Sequence, residues 1–210
     1  MKVVMVGGHS RNIGKTSVVE GIIRGTSHLN WTAVKITQFG HGVCSINGHS
    51  CGCAVDEHRY SISEERSATS GTDTARFLAA GAKRSLWVRT KQGELVTALV
   101  PFRQEIHDAS FVIIETNSLR RFIKPSLYLQ VIDLTNPDFK TSAQQFFDLA
   151  DAYLLVDHQQ QESEPAILPH AVLLAGQRRK DKPVFVVRPE SEFMDSAVIE
   201  FVRTRIEDGS

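Results

Sequence analysis

The chain has 210 residues, of which 41% are hydrophobic and 23% charged, with 24 Lys and Arg set against 24 Asp and Glu. This is the composition of an ordinary globular domain, and its charge balance argues against both a general nucleic-acid binder and a polybasic membrane surface. No apolar run approaches the roughly 18 residues of a membrane span, and the length fits one domain over 1–210. The opening Met-Lys-Val-Val-Met-Val-Gly-Gly lacks a cleavage pattern and runs straight into a glycine loop, which predicts a buried strand and a cytoplasmic chain.

In chain order, Lys2–Val6 reads as a buried strand. Lys15–Ser27 reads as a helix with Val18, Val19, Ile22 and Ile23 on one face, and Trp31–Ile36 as a second strand. Residues 37–71 are rich in Gly, Ser, His and Cys without a clear period, so an irregular, functional insertion is expected over about 40–70. Thr72–Ala82 reads as helical with Asp73 near its start, and Ser85–Val100 as a hairpin turning at Gln92-Gly93. Phe111–Glu115 is an apolar strand ending in an acid. Further strands are expected over Leu127–Asp133, Ala152–Asp157 and Pro183–Arg188, with helices over Thr141–Ala150 and Asp195–Ile206, the last burying Val198, Phe201, Val202 and Ile206. Uniformly apolar strands alternating with helices predict an α/β fold: three layers, doubly wound, with a mainly parallel sheet.

The stretch Gly-Gly-His-Ser-Arg-Asn-Ile-Gly-Lys-Thr-Ser, residues 7–17, joins the first strand to the first helix. Phosphate loops of the common pattern leave four residues between the first Gly and Gly-Lys-Ser/Thr; here five separate Gly8 from Gly14. The physical requirements survive the extra residue. First-turn amides face outward where the helix dipole favours an anion, and glycines permit close approach. Lys15 can lie along the β- and γ-phosphates while the Thr16 hydroxyl meets Mg²⁺. The loop residues Gly8, Arg11, Asn12, Ile13, Gly14, Lys15, Thr16 and Ser17 are thus candidates to hold a nucleoside triphosphate. The plain alternative is a glycine-rich turn with a chance Gly-Lys-Thr.

With Ser10-Arg11-Asn12-Ile13 inside its wider gap, the loop resembles that of the dethiobiotin synthetases. Asp73-Thr74-Ala75-Arg76, then Ala80-Gly81-Ala82, then Trp87-Val88 is similar to a segment of the molybdopterin-guanine dinucleotide biosynthesis protein B (MobB) family. That resemblance, over roughly 1–40 and 70–157, implies a P-loop NTPase fold, a homodimer and a part in metal or molybdopterin cofactor assembly with a biosynthetic enzyme as partner. It implies Lys15, Lys35 and Glu115 as catalytic groups, with Thr16 and Glu115 around magnesium; Asp73 is a further magnesium candidate. For Asp73 a helix-capping role stands beside the metal role. Both families usually follow the acid with glycine, whereas Thr116-Asn117-Ser118 follows Glu115 here. No Asn-Lys-x-Asp motif reads guanine, so GTP and ATP both stand, with Arg188 and Pro189 as candidates beside the base. An ATP-dependent ligase or small-molecule kinase is the other reading; Arg120 and Arg121 suit its anionic substrate.

Cys44, Cys51 and Cys53 fall within ten residues, an odd number that argues against a disulfide framework. With His49 or His41 as fourth ligand they suit a tetrahedral Zn²⁺ site, although Cys-x₆-Cys-x-Cys is not a common zinc-finger spacing.

Overall fold

The computed structural model describes residues 1–40, 59–158, 182–188 and 194–207. Its centre is an eight-stranded sheet of order β3-β4-β2-β5-β1-β6-β7-β8. The strands are β1 (Lys2–Gly8), β2 (Thr32–Phe39), β3 (Tyr60–Glu64), β4 (Arg84–Lys91), β5 (Phe111–Glu115), β6 (Leu127–Ile132), β7 (Ala152–Val156) and β8 (Val184–Val187). All pairings are parallel except β3 with β4.

The continuous apolar strands are explained by burial on both faces, since successive side chains alternate between two cores. Val4 and Val6 join a core with Val19, Ile22, Val198 and Val202, whereas Val3 and Met5 join another with Leu95, Phe102 and Phe147. Helices α1 (Lys15–Gly25), α2 (Asp73–Ala79) and α5 (Ser196–Glu207) therefore cover one face, and α3 (Leu95–Glu105) with the 139–150 segment covers the other. Helix α1 meets α5 closely because its facing residues are glycines. A Cβ on Gly25 would lie 2.5 Å from Ile199, and one on Gly21 2.7 Å from Met194. Behind α1, the Trp31 indole N–H donates to Thr26 Oγ1 at 2.8 Å, which sets the turn into β2.

Several elements differ from the sequence reading. The turn at Gln92-Gly93 exists, with Gly93 at φ 89°, but it leads into helix α3 and not a second hairpin strand. Leu95, Ala98 and Phe102 are buried at a three–four spacing, and this helical stripe outweighs the β-branched Val96, Thr97 and Val100. The antiparallel neighbour of β4 is β3, which lies in the stretch read as irregular. Its Ser61 and Ser63 hydroxyls accept from Arg89 at 3.2 and 2.9 Å while Ile62 packs on the core. A five-residue strand with serines on one face carries too little apolar alternation to announce itself. The helix expected over Thr141–Ala150 breaks into α4 (Thr141–Gln144) and a 3₁₀ turn over Phe147–Leu149. Phe201 is half-buried against Phe185, with ring centroids 5.3 Å apart, while Val198, Val202 and Ile206 are fully inside.

Candidate functional site

β1 ends at Gly8 and α1 starts at Lys15. Between them the chain reverses through left-handed conformations at Asn12 (φ 54°) and Gly14 (φ 85°), which asparagine and glycine tolerate. No side chain caps α1, and its first turn carries no acid, so its leading amides and dipole are directed at whatever occupies the loop. The Lys15 ammonium donates to the Ser10 carbonyl at 2.7 Å, lying across the loop's interior. Burial, aided by Lys140 and Lys35, pushes it down to about 8 against the pull of Glu115 and Asp73.

Sheet register assembles the rest. Val6 of β1 lies beside Glu115 of β5, and Glu115 beside Lys35 of β2, so three parallel strands deliver loop, acid and lysine to one edge. The Thr16 hydroxyl donates to Glu115 Oε2 at 2.8 Å. Lys35 Nζ donates to Glu115 Oε1 at 3.0 Å and pairs with Asp73. Burial disfavours the Lys35 ammonium, but Glu115 and Asp73 outweigh it and hold the lysine above its ordinary value. Asp73 does not cap α2, contrary to the capping alternative: the Thr72 hydroxyl accepts from Ala75 N–H at 3.0 Å and does so, and the Asp73 carboxylate pairs with Lys35 and, at 3.7 Å, with Arg76.

These groups line a cleft of about 380 Å³ running over residues 12–17 with Lys35, Asp73, Arg76, Glu115 and His158. A hydroxyl and a carboxylate 2.8 Å apart are hard oxygen donors, a set that fits Mg²⁺ with further oxygens from phosphate and water. Ile13 contributes backbone, because its side chain is buried in the core, and Arg11 is exposed and does not line the cleft.

The loop is tethered on two sides. Asn117 bonds both backbone groups of Gly8, accepting from its N–H at 2.7 Å and donating to its carbonyl at 2.6 Å. On the other side the buried His9 ring accepts from Asp133 N–H at 3.4 Å and donates to the Asn136 carbonyl at 3.2 Å. Burial pushes His9 below its usual value, so it sits as the neutral tautomer these bonds require. The Ser10 hydroxyl donates to Asp138 at 2.6 Å. The residues that widen the loop are thus held by the 133–140 segment.

Arg76 and His158 line the cleft without having been picked out as site residues in the sequence. Arg76 pairs with Glu20 and donates to Ser17 at 3.1 Å; its place in Asp-Thr-x-Arg, one turn after Asp73, was the available signal. His158 Nε2 meets Asp133 Oδ2 at 3.0 Å, and a lone histidine after a strand offers no comparable pattern. Arg188 is exposed, donates to Asp157 at 3.0 Å and does not line the cleft. Arg120 stacks on Tyr128 with its guanidinium 5.9 Å from the ring centre, and Arg121 donates to Gln145 at 3.3 Å; both stay outside the cleft. Pro189, His41, Cys44, His49, Cys51 and Cys53 lie outside the described residues, and among the described residues no three His, Cys, Asp or Glu side chains gather as a metal site.

No protein-family model and no curated protein matches the chain. Similar solved structures include HypB from Helicobacter pylori in complex with nickel, at 12% identity and TM-score 0.48, covering 98% of this chain and 87% of the other. MobB from Bacillus subtilis aligns at 15% identity and TM-score 0.40, covering 98% and 97%. The chain's own strand order is that of a doubly wound, mainly parallel α/β sheet, and its strand–loop–helix unit beside a strand ending in Glu115 has the arrangement of a phosphate loop.

Proposed function

We propose that the chain binds a magnesium nucleoside triphosphate in this cleft and hydrolyses it slowly, as an accessory protein in metal or molybdopterin cofactor assembly. The observation that carries the reading is the contact of the Thr16 hydroxyl with Glu115, made across 99 residues at the mouth of a loop whose lysine is partly buried. Lys15 and the first-turn amides of α1 hold the phosphates, and Lys15 exchanges the Ser10 carbonyl for phosphate oxygen. Thr16 and Glu115 hold the magnesium, which would neutralise charge on the terminal phosphates. Lys35, kept charged by Glu115 and Asp73, faces the γ-phosphate end of the cleft.

Such catalysis is positioning plus charge stabilisation, and without an arginine committed to the γ-phosphate turnover of about 10⁻³–10⁻² s⁻¹ is expected. Arg76 is engaged by Glu20 and Ser17. The accessory role draws its support from the Asp-Thr-x-Arg…Ala-Gly-Ala likeness and from the Cys/His-rich stretch, whose flanking strands β2 and β3 both meet β4 at its Thr90–Lys91 end, on the site's side of the sheet. The ligase alternative keeps Lys35 beside the cleft but lacks Arg120 and Arg121 there.

Calorimetry with Mg-ATP and Mg-GTP, repeated on Lys15→Ala, tests binding and base preference together. Absence of binding by the unsubstituted chain would falsify the proposal. Turnover raised by a small organic acid would favour the ligase; turnover raised only by a metal ion or a partner protein favours the accessory role.

A further inference from the structure

Parallel pairing of β1 with β5 ends at Val6 and Glu115, where the Thr116 N–H still donates to the Val6 carbonyl at 3.0 Å. One residue further, the chain leaves the strand for a 3₁₀ turn over Ser118–Arg121. The ladder bonds that Gly8 would next make to a β5 backbone are supplied by one side chain. The Asn117 carboxamide presents an acceptor and a donor in the same pattern as a peptide group, accepting from Gly8 N–H at 2.7 Å and donating to Gly8 carbonyl oxygen at 2.6 Å. A second observation agrees. A Cβ on Gly7 would lie 2.7 Å from Asn117 Oδ1 and 2.7 Å from the Tyr128 hydroxyl, so glycine there is what admits the carboxamide.

We propose that Asn117 is a positioning residue that clamps the first glycine of the phosphate loop to the strand bearing Glu115. The inference rests on the phosphate-binding reading above. Its consequence is mechanical: Gly8 lies at the start of the phosphate subsite and Glu115 at the metal subsite, and the clamp sets the span between them before any ligand arrives. Preorganisation of that kind removes ordering cost from binding. The Gly8 N–H is committed to Asn117, so the anion-facing amides are those nearer α1. A glycine at position 117 could make neither bond, so the Asn117 carboxamide is the feature that steadies a loop one residue wider than usual.

The test compares the full chain with Asn117→Ala, Asn117→Asp and Tyr128→Phe. Tyr128 donates to Gln130 at 2.6 Å beneath the loop but does not bond Gly8, so its substitution controls for general destabilisation. Two quantities are read: amide exchange of Gly8 by NMR on glycine-labelled protein without nucleotide, and the Kd of Mg-ATP and Mg-GTP. In Asn117→Ala, Gly8 exchange should quicken and Kd should rise, each by about tenfold or more. Asn117→Asp, which keeps the acceptor and loses the donor, should protect Gly8 better than alanine does, and reads the same clamp if alanine fails to fold. Tyr128→Phe should lower Tm yet leave both quantities within about twofold.

Unchanged Gly8 exchange in Asn117→Ala overturns the clamp. Quickened exchange with unchanged Kd overturns its positioning role, as does an equal loss of affinity in Tyr128→Phe. A wild-type chain that binds neither nucleotide sinks the functional reading, whereas slow Gly8 exchange in that chain, quickened by Asn117→Ala, still upholds the clamp.

Discussion

On the proposed function, the partly buried lysine of the loop would tie nucleotide binding to pH. Burial lowers the Lys15 ammonium from 10.5 to about 8, which corresponds to roughly 3 kcal/mol against the charged form before an anion arrives. A polyphosphate across the ammonium reverses that penalty and raises the bound-state value, so binding above pH 8 draws a proton from solution. Affinity for Mg-ATP or Mg-GTP should therefore be flat below about pH 7 and fall by about tenfold per pH unit above the free value. The anion-free chain should show the opposite trend in stability. Its folded value lies below the unfolded one, so the unfolded state binds more protons between about 8 and 10.5, and stability rises with pH across that window. Calorimetry from about pH 7 to 9.5, in two buffers of different ionisation heat, measures affinity and proton uptake together. Lys140, also lowered by burial and by Arg11, is the competing source, and Lys140→Gln should leave the slope in place. Constant affinity with no proton uptake up to about pH 9.5 would refute the reasoning.

Four further substitutions probe other parts of the site. Thr16→Ala or Glu115→Gln should weaken Mg-nucleotide binding by about tenfold or more while metal-free nucleotide binds equally well or better, read by titration with and without EDTA. Gly7→Ala forces a Cβ to within 2.7 Å of Asn117 Oδ1 and Tyr128 Oη and 2.8 Å of Gln130 Oε1; a stability loss of about 1–3 kcal/mol in urea is expected, together with weaker nucleotide binding. For Asp133, burial alone would raise the carboxyl, but bonds from Thr135 and His158 carry it below its ordinary 3.8. That stability is present above pH 3.8 and is lost as pH falls through the lower folded value. Asp133→Asn should therefore flatten the acid limb of a stability-versus-pH curve measured by denaturant unfolding.

Much of the candidate site was legible because its signals are local. The loop lies between a strand and a helix that are contiguous with it, so glycine positions, Lys15 and Thr16 can be read without knowing the fold. Glu115 could be singled out as an acid ending an apolar strand, where doubly wound sheets bind ligands, and Lys35 through the family resemblance. Arg76 stood in a recognisable segment, but only the packing of α2 beside α1 shows that its guanidinium reaches Ser17 and Glu20. Asn117 and His158 had no pattern to betray them, since each acts through a partner more than twenty residues away.

The elements misread from sequence failed for a related reason. Residues 94–105 carry β-branched side chains at several positions, and their identity as a helix depends on which face the sheet covers. β3 is a strand chiefly because β4 offers it an edge, with Arg89 held by its serines. Sequence alone determined the α/β class, the two-faced burial of the strands and the strand–loop–helix unit around residues 7–17, because hydrophobic period and glycine placement are properties of neighbouring residues. Tertiary structure decided which charges meet. Register aligns Val6, Glu115 and Lys35 across three strands that are separated by 29 and 80 positions, and no local pattern encodes the pairing of strands so far apart along the chain.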